Sequence, residues 1–203
     1  LVTPRLAVAI GSKLVVASGL VSLTAAFVWT STIDANTDYT QIAGQMILLG
    51  AGLGLVSAPA TEAIRGVVPI HKAGMGSAVN DATRELGGTL GVAVIGSVAL
   101  SVYRDGLEGT QLPPVLLEPA RESLGAALAA SEQASNTLGD AGTQAAFELS
   151  DLARREFVDG FATGSLVAGA VTAVAAMLIL IFLPAHPGRQ ARGSSTEKSA
   201  IAR

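Results

Sequence analysis

Long apolar runs broken by a few polar islands set the pattern of this chain. Residues 14–33, 40–61 and 160–183 contain no Asp, Glu, Lys, Arg or His. At about 1.5 Å rise per residue, such windows match a bilayer hydrocarbon core of about 30 Å. A soluble helix would carry polar residues along one face, and these windows have no such face. The pattern therefore predicts an all-α integral membrane bundle with about four transmembrane helices: 14–33, 40–64, 77–103 and 159–183.

The islands between them divide into two kinds. The lead-in 1–13 and the turns 34–39 and 65–76 are short, whereas 104–158 is long and polar. Within the long segment, EPARESLGAALAASEQ and TQAAFELSDLARREF are rich in helix formers. Leu124 and Leu128 stand four apart in the first, and Phe147, Leu149 and Leu152 mark the second. Neither is long or apolar enough to span, so two amphipathic helices on the outer surface are expected. With so few large hydrophobes, 104–158 promises a poor core for a separate domain. The Ser/Gly-rich, basic tail 184–203 reads as disordered.

Composition agrees with a lipid solvent. Hydrophobic residues make up 50% of the chain, charged residues 14%, and the mean hydropathy is +0.52. Soluble domains carry about a quarter charged residues. A net charge of −3 argues against a nucleic-acid partner, and the absence of Cys removes disulfides and thiolate metal sites.

The placement of Lys and Arg predicts orientation. With the N-terminus inside, the cytoplasmic segments hold Arg5, Lys13, Arg65, Lys72, Arg189, Arg192, Lys198 and Arg203. The outer segments hold only Arg104, Arg121, Arg154 and Arg155. Both termini are then cytoplasmic, as an even number of spans requires. The expected location is the cell membrane.

The third predicted span carries the strongest chemical signal. Asp81 and Glu85 stand four apart on one helical face, and Arg84 is three from Asp81. Ionisable groups inside a membrane are expensive unless paired or wet, which makes each a functional candidate. Desolvation and a nearby Arg pull a carboxylate's proton affinity in opposite directions, a balance that suits proton coupling. The bland alternative places these residues in the cytoplasmic entry turn. Gly87, Gly88, Gly91 and Gly96 follow, and small residues let membrane helices approach closely. In the second span, Gly50, Gly52 and Gly54 precede Pro59, which predicts a flexible, kinked helix. Gln41 and Gln45 are expected to bond a neighbouring helix. His71 and His186 have no partners at metal-ligand spacing. No nucleophile–base pair, phosphate loop, metal cluster or cofactor motif is legible, so no enzyme, metal or cofactor is expected.

The block GAGLGLVSAPATEAIRGVVPIHKAGMGSAVNDATRELGGTLGVAVIGSV resembles the C-terminal spans of a known family. These are the fourteen-span drug:proton antiporters of the major facilitator superfamily, the EmrB/QacA type. The Gly-rich span ending in P-x-T, the V-P-x-x-K-A-G-x-G-S-A loop and the N-D-x-x-R-E-L-G-G helix carry the likeness, in that order. It implies that the four spans are the eleventh to fourteenth, and that the whole protein exports amphipathic, often cationic compounds in exchange for protons. It also implies that Asp81 and Glu85 fall on positions used for cation recognition or proton coupling. Arg84 between them departs from a wholly acidic site. The expected partners are the lipid bilayer, the N-terminal spans of the same transporter, small amphipathic substrates and protons.

The opening at Leu1 reads like the middle of a loop, so a truncated product is expected, transport-inactive by itself. A small four-span membrane scaffold or assembly subunit is the alternative, followed by a miniature transporter acting as a symmetric oligomer.

Overall fold

The computed structural model describes residues 12–34, 36–67, 73–110, 112–137 and 139–182. Most of the basic lead-in, His71, Lys72 and the whole predicted tail lie outside the described residues. Six helices follow one another among the described residues. They are α1 (Ser12–Thr30), α2 (Tyr39–Val67), α3 (Ala73–Leu107), α4 (Pro114–Ala120), α5 (Leu124–Thr137) and α6 (Gly139–Phe182). Four of them, α1, α2, α3 and α6, are long and apolar enough to cross a membrane. The protein is an all-α, multi-pass membrane protein.

Contacts divide the chain into two compact units. The first takes its described residues from Leu1–Ala25, Met46–Arg84 and Ala170–Arg203; the second comprises Ala26–Gln45 and Glu85–Gly169.

In the first unit, α1 and α2 meet backbone to backbone. A β-carbon at Gly19 would lie 2.8 Å from Val56 Cγ2 and 3.0 Å from the Gly52 carbonyl oxygen. A β-carbon at Gly52 would lie 2.8 Å from Leu23 Cγ and 3.0 Å from the Gly19 carbonyl oxygen. Lipid tails are as apolar as Leu, so helices gain by close dispersion contact, which only the smallest residue permits here. Hydroxyls tie α1 to α2 and also to α6. Ser22 Oγ donates to the Leu48 carbonyl at 3.3 Å, and the Thr24 and Thr172 hydroxyls bond each other at 3.0 Å. Pro59 is buried within α2 and gives the Leu55 carbonyl no N–H. Two residues on, Thr61 Oγ1 donates back to the Ser57 carbonyl at 3.0 Å.

The second unit has a core of its own. Tyr103, Leu107, Leu112, Leu116 and Leu149 are buried together with Ala120, Ala127, Ala130, Ala134, Ala146 and Ala153. Large side chains are few in this cluster, and alanines are many. Alanine compensates, because its small size brings α3, α4, α5 and α6 close enough for Leu107 and Leu149 to be fully buried. Pro114 sits in the first turn of α4, where its missing N–H costs nothing. Ser123 caps α5, its Oγ accepting from the Ala126 N–H at 3.1 Å.

One element departs from the expectation. TQAAFELSDLARREF is not a separate short helix but the early part of α6, which runs 44 residues without a break. No Pro or Gly lies between Thr143 and Val158, and an Asp151–Arg155 pair at 2.8 Å supports the exposed face. Gly160 and Gly164 do not interrupt the helix, because packing makes use of them. A β-carbon at Gly160 would lie 2.5 Å from the Ala99 carbonyl oxygen, and one at Gly164 would lie 3.1 Å from Ile95 Cγ2.

Candidate functional site

Helix α3 presents its charges without cover. Asp81, Arg84 and Glu85 are exposed, as is every residue from Asp81 to Leu90, on all sides of the helix. Asp81 and Arg84 belong to the first unit and Glu85 opens the second. Among the described residues, Arg84 forms no ion pair with either carboxylate. The neighbouring hydroxyls turn back onto their own helix. Thr83 Oγ1 donates to the Val79 carbonyl at 2.8 Å, and Thr89 Oγ1 to the Glu85 carbonyl at 2.9 Å. The three ionisable side chains are thus left to whatever covers this helix. Lipid is an expensive neighbour for such groups, so the chemistry of the face calls for water or further protein.

The glycines singled out in the sequence separate into two groups. Gly52 sits at the close approach of α1 and α2. Gly50, Gly54, Gly87, Gly88, Gly91 and Gly96 meet nothing within 4 Å where a β-carbon would be, among the described residues. A smooth, side-chain-free strip therefore runs along α3 beside Glu85.

The two glutamines of α2 bond backward to the end of α1. Gln45 is fully buried, and its Nε2 donates to the Trp29 carbonyl at 3.0 Å. Gln41 Nε2 donates to Thr32 Oγ1 at 3.4 Å. Gln45 Oε1 and Thr30 Oγ1 are buried without a hydrogen-bond partner. The Trp29 ring lies across Gly44, where a β-carbon would come within 2.9 Å of Cη2.

Sequence reasoning passed over Gly19, Tyr103, Gly160 and Gly164. The last two form a G-x-x-x-G pair in GFATG, a small-residue spacing that signals helix association in membranes. Gly19 and Tyr103 carry no comparable local signal.

No family model matches the chain, and no solved structure matches it. Curated proteins similar to it include two exporters. The tetracenomycin C resistance and export protein of Streptomyces glaucescens is 32% identical over 174 residues, covering 83% of this chain and 32% of the relative. The multidrug efflux pump LfrA of Mycolicibacterium smegmatis is 28% identical over 163 residues, covering 80% of this chain and 31% of the pump. The chain spans about a third of the length of these curated relatives.

Proposed function

We propose that this chain contributes four C-terminal spans to a proton-coupled drug exporter of the fourteen-span major facilitator type. One observation carries the reading: the chain is similar over more than four-fifths of its length, at 32% identity, to a tetracenomycin C resistance and export protein about three times as long. The exposed, charge-bearing α3 supports it, since a helix polar at one end and bare on every side needs a neighbour that the described residues do not supply.

In this reading further spans cover α3 and close a solute cavity with it. Transporters of this kind hold their substrate between two halves that rock about it, so four helices from one half transport nothing by themselves. Asp81, Arg84 and Glu85 face that cavity and serve proton coupling or contact with the substrate. The strip of Gly87, Gly88 and Gly91 lets the covering helix lie close and slide. Gly50, Gly54 and Pro59 serve the same movement in α2. The substrates are small amphipathic compounds, including cations. Both termini face the cytoplasm, and the protein resides in the cell membrane, with Trp29 and Tyr39 near the outer interface. No nucleic acid, metal or cofactor takes part.

The test is dye efflux in proteoliposomes. The chain alone gives no saturable transport, whereas a reading frame extended to the length of the relatives does. In that longer protein, Glu85→Gln uncouples export from the proton gradient without reducing insertion. Saturable transport by the chain alone, or full coupling in both Glu85→Gln and Asp81→Asn, overturns the reading.

A further inference from the structure

A recess of about 470 Å³ opens in the second unit, apart from the Asp81–Arg84–Glu85 face. Its walls are the second half of α3, the middle of α6 and the turn that joins α4 to α5. Val92, Gly96 and Tyr103 line it from α3, Phe157 and Phe161 from α6, and Glu122 from the turn. Both phenylalanines are about half exposed, so the recess is open to the medium around the helices.

Height and charge together select the guest. From Val92 to Tyr103 the helix rises about 17 Å, close to one leaflet's share of a hydrocarbon core about 30 Å thick. The uncharged run 86–102 of α3 stops just short of Arg104, and the uncharged run 160–183 of α6 begins after Asp159. The apolar part of the recess thus ends at the level where lipid headgroups begin.

Two opposite charges meet at that level. Arg104 Nε donates to the Arg121 carbonyl at 3.1 Å, and Glu122 is the next residue. The guanidinium and the carboxylate therefore start from adjoining points on the rim. Among the described residues neither has an ion pair, whereas Arg121 turns to Glu118 at 3.7 Å. A guanidinium fork suits a phosphate, and a carboxylate suits a primary ammonium. A phosphoethanolamine headgroup carries both groups, joined by a short ethylene link. A phosphoglycerol headgroup would bring a phosphate near Glu122 and nothing to pair with it. A choline has no N–H to donate, and a hydrocarbon guest would use neither charge.

We propose that this recess holds one phospholipid with a primary-ammonium headgroup, bound at a defined site. One acyl chain lies along Val92, Gly96 and Phe161, the phosphate meets Arg104, and the ammonium meets Glu122. The site needs only the second unit in a bilayer and does not depend on the chain taking part in export.

The test is native mass spectrometry of the whole chain in a neutral detergent. The chain is titrated with phosphatidylethanolamine, phosphatidylglycerol and phosphatidylcholine of identical acyl chains. One phosphatidylethanolamine is expected per chain at saturation, held roughly three- to fivefold tighter than the other two, the effect of a solvent-screened charge. Glu122→Gln, at an exposed turn position, removes that preference and does not weaken phosphatidylglycerol. Gly96→Leu fills the recess, and a β-carbon there meets nothing within 4 Å, so the side chain enters without a clash. It weakens all three lipids by roughly tenfold, the effect of displacing apolar contact. Ser97→Leu, on the next residue and outside the lining, changes nothing. No saturable lipid binding by the unaltered chain overturns the proposal. So does phosphatidylglycerol binding as tightly as phosphatidylethanolamine, or a preference that survives Glu122→Gln. An affinity that Gly96→Leu leaves unchanged places the lipid elsewhere and overturns it as well. Dye efflux enters none of these measurements, so this proposal and the proposed function fail separately.

Discussion

The hydroxyl of Tyr103 donates to the carbonyl of Ala120 at 2.8 Å, inside a region where both residues are buried. This bond ties α3 to the last turn of α4, a span to the polar segment that follows it. Beside it, Arg104 Nε bonds the next carbonyl, that of Arg121, at 3.1 Å. Two consecutive residues of the span thus hold two consecutive carbonyls.

Tyr103→Phe removes the buried donor and leaves the Ala120 carbonyl unpaired. The expected cost is about 1–3 kcal/mol, the penalty for a buried unsatisfied acceptor. Thermal unfolding in detergent measures it, and limited proteolysis should show earlier cleavage between residues 108 and 123. Unchanged stability and cleavage would mean that the α4–α5 segment is held by its Ala-rich core alone.

Gly52→Ala places a methyl group 2.8 Å from Leu23 Cγ and 3.0 Å from the Gly19 carbonyl oxygen, so α1 and α2 must separate. Overpacking of this kind costs about 1–3 kcal/mol. Gly50→Ala, two residues away, meets open space and costs nothing. Equilibrium unfolding of the two variants side by side decides the matter, and equal stability would refute the close approach.

Gly160 and Gly164 differ in what surrounds them, and substitution should rank them. The alanine methyl at Gly160 would meet the Ala99 backbone carbonyl at 2.5 Å, which cannot rotate away. At Gly164 the first obstacle is the Ile95 Cγ2 methyl at 3.1 Å, which needs to give by only a few tenths of an ångström. Gly160→Ala is therefore the more damaging, by at least about 1 kcal/mol. A reversed order in thermal melts would contradict the α3–α6 packing.

Gln45 is buried, yet its loss should be mild. The Trp29 carbonyl that it bonds also accepts from Thr32 Oγ1 at 2.8 Å and from the Thr32 N–H at 3.1 Å, so it keeps partners without Gln45. The Gln45 Oε1 has no partner to lose. Gln45→Leu is expected to cost less than about 1 kcal/mol or to stabilise the protein. A loss above about 2 kcal/mol would point to an internal water or solute group bonded to Oε1.

The amino-acid sequence by itself determined the solvent and the four long apolar helices found among the described residues. Uninterrupted windows such as 14–33 and 160–183 have nothing ionic to offer water, and hydropathy depends on a residue and its chain neighbours alone. It also marked Asp81, Arg84 and Glu85, because a charge beside an apolar run is conspicuous without coordinates. What only the tertiary structure decided is which small residues face a neighbour. Gly50 and Gly52 are indistinguishable in the string, yet one faces open space and the other touches a backbone. Likewise Ala127 and Ala153 form a core only because four helices converge on them, and α6 continues through what looked like a separate helix. Contacts of this sort depend on distances across the fold. Periodicity along the chain carries no record of them.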